Sequence, residues 1–159
     1  MTNPWPEHPQ LKFRHLAQFD VKILVDDNFP YELGPTPLGQ LRGGLLSGGR
    51  IEGERLRARI LGGMDNGMIR PDDTFAPNIR LICETDDGDK FMVSYQGFVS
   101  PFTEFLKARR REPSNVTTWR LIMTFATSAP AIEWLNLVHG VAVGTTVDGE
   151  VQMQVYELV

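Results

Sequence analysis

One aspartate in a glycine-rich stretch has the setting that best suits proton-transfer chemistry. Asp65 lies in the sequence LGGMDNG, residues 61–67, where the alternating pattern of a strand is interrupted. Two interpretations are open. The Asn66-Gly67 pair favours a turn, in which an aspartate commonly bonds to its own backbone. At the mouth of an apolar pocket, burial would instead raise the carboxyl pKa, and Asp65 would serve as a general acid or base.

A hairpin in the middle of the chain predicts a second group of polar side chains. If Asp87-Gly88 forms a two-residue type I′ turn, Glu84 pairs with Phe91 and Arg80 pairs with Tyr95. Directly paired residues lie on one face of a sheet, so this register places Arg80, Glu84 and Tyr95 together among apolar neighbours. Such a mixture is typical of a small-molecule pocket, and an Arg80–Glu84 ion pair is the alternative.

Several further side chains are candidates to bind an oxygen-bearing ligand. Arg42, Arg80 and Arg120 could each hold an anionic or carbonyl oxygen, because an arginine inside a barrel must be paired or must bind something. For each of them a solvent-facing position is the alternative. Asn136 is a candidate ligand contact or a cap for the short turn at Trp134. His139 has no neighbouring partner in the sequence and is interpreted as structural.

Composition and motifs argue against several other classes of protein. The 159 residues contain 42% hydrophobic and 23% charged residues, as in a single soluble globular domain, and the net charge of −4 disfavours nucleic-acid binding. A single cysteine, Cys83, allows neither an internal disulfide nor a cysteine metal cluster, and the three histidines lack ligand spacing. We therefore predict no metal site.

Cofactor and membrane signals are also missing from the sequence. There is no phosphate-cradling loop, no dinucleotide fingerprint and no Gly-x-Ser-x-Gly motif, so we predict no cofactor. No apolar run reaches the roughly 20 residues that span a bilayer. The first ten residues lack the features of a signal peptide. These observations predict no membrane partner and a cytoplasmic location.

Alternating apolar residues predict a chain made almost entirely of short strands. In residues 54–61, Leu56, Ala58 and Ile60 alternate with three arginines, and residues 19–25 show the same period. Asp148-Gly149 predicts a second type I′ hairpin. The glycine pairs at 43–44, 48–49 and 62–63 predict turns or bulges. Helical spacing occurs only in residues 101–112 and as a single turn in residues 130–136.

These elements predict an all-β fold, namely a single antiparallel β-barrel with at most one or two short helices. Barrel closure removes the exposed edges that so many strands would otherwise leave. The predicted domain covers residues 19–159 and follows an irregular N-terminal arm of residues 1–18.

Several motifs, in order, resemble an uncharacterised bacterial and fungal family catalogued as domain of unknown function 3237. They are LGQLR (38–42), GGRIEG (48–53), ILGGMD (60–65), IRLICETDDG (79–88), WLN (134–136) and VAVG (141–144). The resemblance implies a compact β-barrel, often a homo-oligomer, and a dimer is expected here. It also implies a shape loosely similar to barrels that cyclise or hold apolar molecules, such as allene oxide cyclase. Members commonly carry Trp after the motif's aspartate, where this chain has Asn66, which could bond a ligand or form a turn.

The leading functional prediction is a small-molecule enzyme of isomerase, cyclase or lyase type. Asp65 would move protons, Arg42 and Arg80 would bind an oxygen, and Glu84 and Tyr95 would orient the substrate. The alternative is a binding barrel, a carrier or sensor for an apolar small molecule without chemistry of its own. A lumen filled by side chains would instead indicate an assembly subunit.

Overall fold

Eight antiparallel strands close into a barrel in the computed structural model, which describes residues 10–24 and 31–159. The described strands are β1 (Phe13–Ile23), β2 (Tyr31–Thr36), β3 (Gly39–Glu52), β4 (Arg57–Ile69), β5 (Phe75–Ala76), β6 (Asn78–Thr85), β7 (Lys90–Ser100), β8 (Thr118–Ala126), β9 (His139–Val147) and β10 (Glu150–Leu158). Around the barrel the order is β1-β3-β4-β6-β7-β8-β9-β10 and back to β1. Strand β2 pairs with β3, and β5 lies between β4 and β7. The predicted all-β antiparallel barrel is confirmed.

The barrel begins at Phe13 rather than at Phe19. Residues 13–18 were expected in the N-terminal arm, but they pair with β10, from Phe13 opposite Leu158 to Gln18 opposite Gln154. A register shift between His15 and Ala17 leaves the consecutive residues Leu16 and Ala17 both buried. That bulge hides the period of two by which a strand is recognised in sequence. Residues 1–9 of the predicted arm lie outside the described residues.

Both predicted helical segments are helical. Helix α1 (Phe102–Arg109) covers one end of the barrel, and a 3-10 helix occupies Pro130–Leu137. Asp73, in the loop before β5, binds the first turn of α1: its carboxylate accepts hydrogen bonds from the Thr103 N–H (3.0 Å) and hydroxyl (2.8 Å). At the other end of α1, Arg109 donates a hydrogen bond to the Gly149 carbonyl. The helix is therefore held on the barrel at both ends. Neither helix that the structure describes has the length and hydrophobicity needed to cross a bilayer.

The predicted register of the β6–β7 hairpin is wrong by one residue. Glu84 pairs with Lys90, Arg80 with Ser94, and Tyr95 with Ile79. The connecting loop has three residues rather than two, because the Thr85 N–H bonds to the Asp89 carbonyl and Gly88 adopts a φ of 94°. The shift turns Arg80 and Glu84 to the outside and Tyr95 to the inside. The other predicted hairpin is confirmed, with Val147 opposite Glu150.

Two glycine pairs mark β-bulges that reverse the inward side of a strand. In β4, Ile60 pairs with Cys83 and Gly62 with Ile82, so Leu61 is an extra residue. Gly62 has a φ of 157°, which residues with a side chain rarely adopt. In β3 the shift falls between the partners of Lys22 and Ile23, which makes Ser47 extra. The bulge interpretation of pairs 48–49 and 62–63 is confirmed, whereas pair 43–44 lies within regular strand.

The β4 bulge decides which side chains of the LGGMDNG motif enter the barrel. Before it, Leu56, Ala58 and Ile60 point inward and are buried. After it the inward positions are 63, 65 and 67, because each of them pairs with the inward side of β3. Strand β4 continues to Ile69, so the predicted Asn66-Gly67 turn is wrong. Asp65 lies inside a strand and points into the lumen.

Gly67 provides space for an aromatic ring rather than a turn. A Cβ atom at this position would collide with the ring of Phe75, which is buried and packs on the inner side of β4. It would also lie 3.2 Å from Asp65 Oδ1. The glycine therefore allows Phe75 and the Asp65 carboxylate to lie next to each other.

Replacing Gly67 with alanine should destabilise the protein by about 1–3 kcal/mol, since the added methyl group displaces Phe75 from a packed position. Urea unfolding measures the effect. Asn66→Ala is the matched control, because the Asn66 side chain is exposed, and it should change the free energy of unfolding by less than about 0.5 kcal/mol. Equal stability of Gly67→Ala and the wild type would contradict this account of the packing.

Candidate functional site

A cavity of about 360 Å³ lies between the barrel lumen and helix α1. Its volume is that of a small-molecule site. Most of its wall is apolar, and four aromatic rings form a continuous row along it. The ring centroids are separated by 5.0 Å from Phe75 to Phe102, 5.6 Å from Phe102 to Phe105, and 5.5 Å from Phe105 to Trp119.

Asp65 is the only carboxylate that lines this cavity among the described residues. Its Oδ1 accepts one hydrogen bond, from the backbone N–H of Asn78 at 3.0 Å. Burial raises the pKa of Asp65 from its ordinary value of 3.8 to about 6, although the Asn78 bond and the positive charge of Arg42 both act in the opposite direction. The carboxyl group is therefore able to gain and lose a proton near neutral pH.

Arg42 provides the buried positive charge of the cavity. Only 11% of its side chain is exposed, and its guanidinium lies 5.5 Å from the ring centre of Phe102. Its Nε lies 3.1 Å from Glu32 Oε1, but the angle does not make a hydrogen bond, and within the described chain this N–H has no acceptor. Burial lowers the pKa of Arg42, while Glu32 and Asp65 oppose that change. No ion pair joins Arg42 directly to Asp65, although both residues are described.

The corrected register brings Tyr95 to the same cavity. Asp65, Ile79 and Tyr95 follow one another across the paired strands β4, β6 and β7. Tyr95 is only 2% exposed, and burial, together with Asp65 and Cys83, raises the pKa of its hydroxyl well above 10. The phenol therefore stays protonated and is able to donate a hydrogen bond.

Three cavity residues that carry N–H donors, Trp119, Arg109 and Arg110, were not predicted as site residues. Trp119 is 2% exposed, and its indole N–H has no acceptor among the described residues. Arg109 and Arg110 reach the cavity from the C-terminal end of α1. The run of arginines is visible in the sequence, but the sequence does not show that α1 packs on the barrel and so places Arg109 and Arg110 at the cavity.

Comparisons with known proteins agree with this architecture. A family model described as "Protein of unknown function (DUF3237)" matches residues 11–158. The chain belongs to the DUF3237 family. None of the curated proteins compared with the chain matches it.

Solved structures similar to this DUF3237 chain share its fold. A β-barrel-like protein from Acinetobacter baumannii AYE has a TM-score of 0.80 and 26% identity over 96% of this chain and 99% of that chain. A conserved protein of unknown function from Rhodopseudomonas palustris has a TM-score of 0.82 and 24% identity, covering 96% and 100%. A protein described as an enzyme from Penicillium herquei has a TM-score of 0.70 and 16% identity, covering 98% and 100%.

The predicted site residues divide into two groups in the structure. Arg42, Asp65 and Tyr95 line the cavity. The others do not line it, namely Asn66, Arg80, Glu84, Arg120 and Asn136. Arg80 and Arg120 are exposed, as their alternative interpretation allowed.

The predicted cluster of Arg80, Glu84 and Tyr95 does not form, because it depended on the two-residue hairpin. Glu84 pairs instead with Arg59 at 2.6 Å and Lys90 at 3.1 Å on the outer surface. Asn136 is exposed and ties the 3-10 helix to Thr127, accepting its N–H (2.9 Å) and donating to its carbonyl (3.0 Å). It therefore holds the loop after β8, away from the lumen.

Asn66, the residue after Asp65, points away from the lumen. It is exposed and pairs with Gly43 of β3, one position beyond the inward Asp65. Neither of the two expected roles, a ligand bond in the lumen or a turn, is therefore open to it. Among the described residues, no three His, Cys, Asp or Glu side chains are close enough together to hold a metal ion.

Asp65→Asn should stabilise the protein, and more so at higher pH. Between pH 3.8 and about 6 the native state keeps a proton at Asp65 that the unfolded state has lost, so stability decreases as the pH rises through this range. The full penalty, above pH 6, is about 2–3 kcal/mol. Asparagine avoids it and still accepts the Asn78 N–H.

Urea unfolding of wild type and variant at pH 4.5 and 7.5 measures this difference, which should grow by roughly 2 kcal/mol between the two values. Asp87→Asn, at an exposed position in the hairpin loop, is the matched control and should show no such growth. A difference that stays constant over this range would refute the raised pKa of Asp65.

Proposed function

We propose that this protein is a small-molecule enzyme of isomerase, cyclase or lyase type that acts by proton transfer in the barrel lumen. The observation that carries the proposal is the largely buried Asp65 carboxyl group in an apolar cavity of about 360 Å³, with a pKa of about 6 and no ion-pair partner in the described part of the chain. A base with a pKa close to the working pH is largely in its deprotonated, reactive form and is still basic enough to remove a proton from a substrate. Perturbed groups of this kind are concentrated at functional sites.

At neutral pH Asp65 is mainly a carboxylate, so it acts first as the base. It removes a proton from the substrate and then returns that proton to a different atom, or to a leaving group in a lyase reaction. No electrons are gained or lost overall, and no co-reactant is required. Arg42 stabilises the negative charge that develops on a substrate oxygen as the proton leaves. The Tyr95 hydroxyl, always protonated, donates a hydrogen bond that orients the substrate.

Helix α1 supports this chemistry by limiting the access of water. Its residues Phe102, Phe105 and Leu106 form part of the cavity wall, and Asp73 and the Arg109–Gly149 bond hold the helix in place. Exclusion of water strengthens the electrostatic interaction between Arg42, Asp65 and a bound substrate.

A binding barrel for an apolar small molecule is the second candidate. It is favoured by the apolar wall and by the presence of a single carboxylate among the described lining residues. Stabilisation by a ligand that is recovered unchanged after long incubation would support this alternative. Conversion of the ligand would support the enzyme.

If Asp65 is the base, Asp65→Asn should lower kcat by about 10²–10⁴-fold on a substrate found by thermal-shift screening of conjugated carbonyl compounds and their enols. Wild-type kcat/KM should rise with pH through about 6 and then level off, because the base form accumulates as Asp65 loses its proton. Steady-state kinetics over pH 4.5–8.5 measures both. Asp87→Asn should leave both unchanged, and full turnover by a folded Asp65→Asn protein would rule out the role.

A further inference from the structure

Two buried N–H groups without an acceptor belong to residues that line this cavity. They are Arg42 Nε and Trp119 Nε1, and no other buried side-chain nitrogen or oxygen of the described residues lacks a hydrogen-bond partner. Buried polar groups are almost always bonded, so each exception calls for an explanation. Because both residues line the one cavity, a ligand oxygen at each of them would provide the acceptor.

The two donors come from opposite walls of the barrel. Arg42 belongs to β3 and Trp119 to β8. Counting from β3, four strand-to-strand steps lead to β8 in one direction through β4, β6 and β7, and four in the other through β1, β10 and β9. The lumen of an eight-stranded barrel is just wide enough for one small ligand. A single molecule that reaches both donors therefore carries an acceptor at each end.

The wall between the donors is aromatic. The guanidinium of Arg42 lies over the ring of Phe102, and Phe102 stacks on Phe105. Phe105 and Trp119 are in T-shaped contact, with an interplanar angle of 75°. Phe75 extends this row at a ring distance of 5.0 Å from Phe102. Rings arranged in this way offer both faces and edges to a flat conjugated molecule.

The charge around the cavity favours an anion. Among the described residues, three arginines line it, Arg42, Arg109 and Arg110, and one carboxylate, Asp65, although the whole chain has a net charge of −4. Arg110 is paired with Glu112 at 2.8 Å and Arg109 is bonded to the Gly149 carbonyl. The Nε of Arg42 lies 3.1 Å from the exposed Glu32 carboxylate but donates no hydrogen bond to it, so we place the anionic end of a ligand at Arg42.

We infer that the cavity takes a flat aromatic or conjugated monoanion with an oxygen at each end: an anionic oxygen bound by Arg42 beside Asp65, and a neutral oxygen that accepts the Trp119 indole N–H. This inference rests on the proposed small-molecule site, since it concerns the same cavity, but it does not depend on the chemistry that Asp65 performs. Trp119 is thereby a ligand-binding residue that determines specificity.

Three naphthalene probes test the inference by isothermal titration calorimetry at pH 5, where Asp65 is mostly protonated and the carboxylates of the probes are still mostly charged. The monomethyl ester of naphthalene-2,6-dicarboxylate has the anion and the neutral carbonyl, 2-naphthoate lacks the second oxygen, and the dimethyl ester lacks the charge. We expect the monomethyl ester to bind about tenfold more tightly than either of the other probes, because each of them lacks one of the two polar contacts and a factor of about ten is typical for the loss of one such contact. Equal affinity of the monomethyl ester and 2-naphthoate, or no binding of any probe, overturns the inference.

Trp119→Phe then assigns the neutral end to the indole. It should weaken the monomethyl ester about tenfold and leave 2-naphthoate unchanged. Trp134→Phe is the matched control, since Trp134 stacks on Arg55 away from the cavity, and it should change neither affinity. Equal weakening of both probes by Trp119→Phe would show a packing effect and refute the hydrogen bond.

An NMR measurement gives a direct reading of the same bond. The indole N–H cross-peak that disappears in Trp119→Phe should move downfield when the monomethyl ester binds, but not when 2-naphthoate binds. If the variant fails to fold, the wild-type affinities of the three probes still decide the outcome. The probes need not react, so an unexpected binding pattern refutes the ligand class alone, whereas full turnover by Asp65→Asn refutes the proposed chemistry alone.

Discussion

The site depends on one extra residue in strand β4. Side chains alternate along a strand, so without the bulge at Leu61 the inward series Leu56, Ala58 and Ile60 would continue through Met64 and leave Asp65 on the outer surface. The bulge reverses the alternation and turns the carboxylate into the lumen. A second bulge at Ser47 does the same for β3, which directs Arg42 inward next to it. Two local irregularities thus produce the charged part of the cavity.

The same lumen serves as core at one end and as a site at the other. Ile51, Ala58, Leu81 and Val93 fill the interior completely, each with an exposed fraction of 0%. Toward α1, Gly44 on the inner face of β3 lines the cavity without a side chain, and Gly67 of β4 leaves the space that the Phe75 ring occupies beside it. Helix α1 then covers that end instead of filling it. Close packing at the end of the barrel away from α1 therefore stabilises the fold, and a glycine near α1 leaves room for the cavity.

The sequence predicted the fold and about half of the candidate site. Alternation, turn signals and the family motifs were sufficient to predict the barrel and both helices and to single out Asp65 and Arg42, which line the cavity, because these signals are local. The predicted cluster of Arg80, Glu84 and Tyr95 was wrong because the hairpin loop has one residue more than expected. That residue shifts the register by one, so Tyr95 no longer shares a face of the sheet with Arg80 and Glu84. The Asp-Gly dipeptide alone does not distinguish a two-residue loop from a three-residue loop. Trp119 was missed because it stands out only by its buried indole N–H, which has no acceptor among the described residues, and this is visible only in the folded barrel.

The contrast between the two sides of the barrel wall is the strongest reason to regard Asp65 as functional. Two carboxylates of the outer surface show the paired arrangement: Glu84 bonds to Arg59 and Lys90, Asp86 bonds to Arg50, and these partners lower the pKa of both. Arginines are plentiful in this chain, so a structural role for Asp65 could have been met by the same kind of pair. Instead burial raises its pKa, and Arg42 interacts with it only at a distance. Asp65 therefore lacks the compensating partner that Glu84 and Asp86 have, as expected where a residue serves binding or chemistry rather than stability.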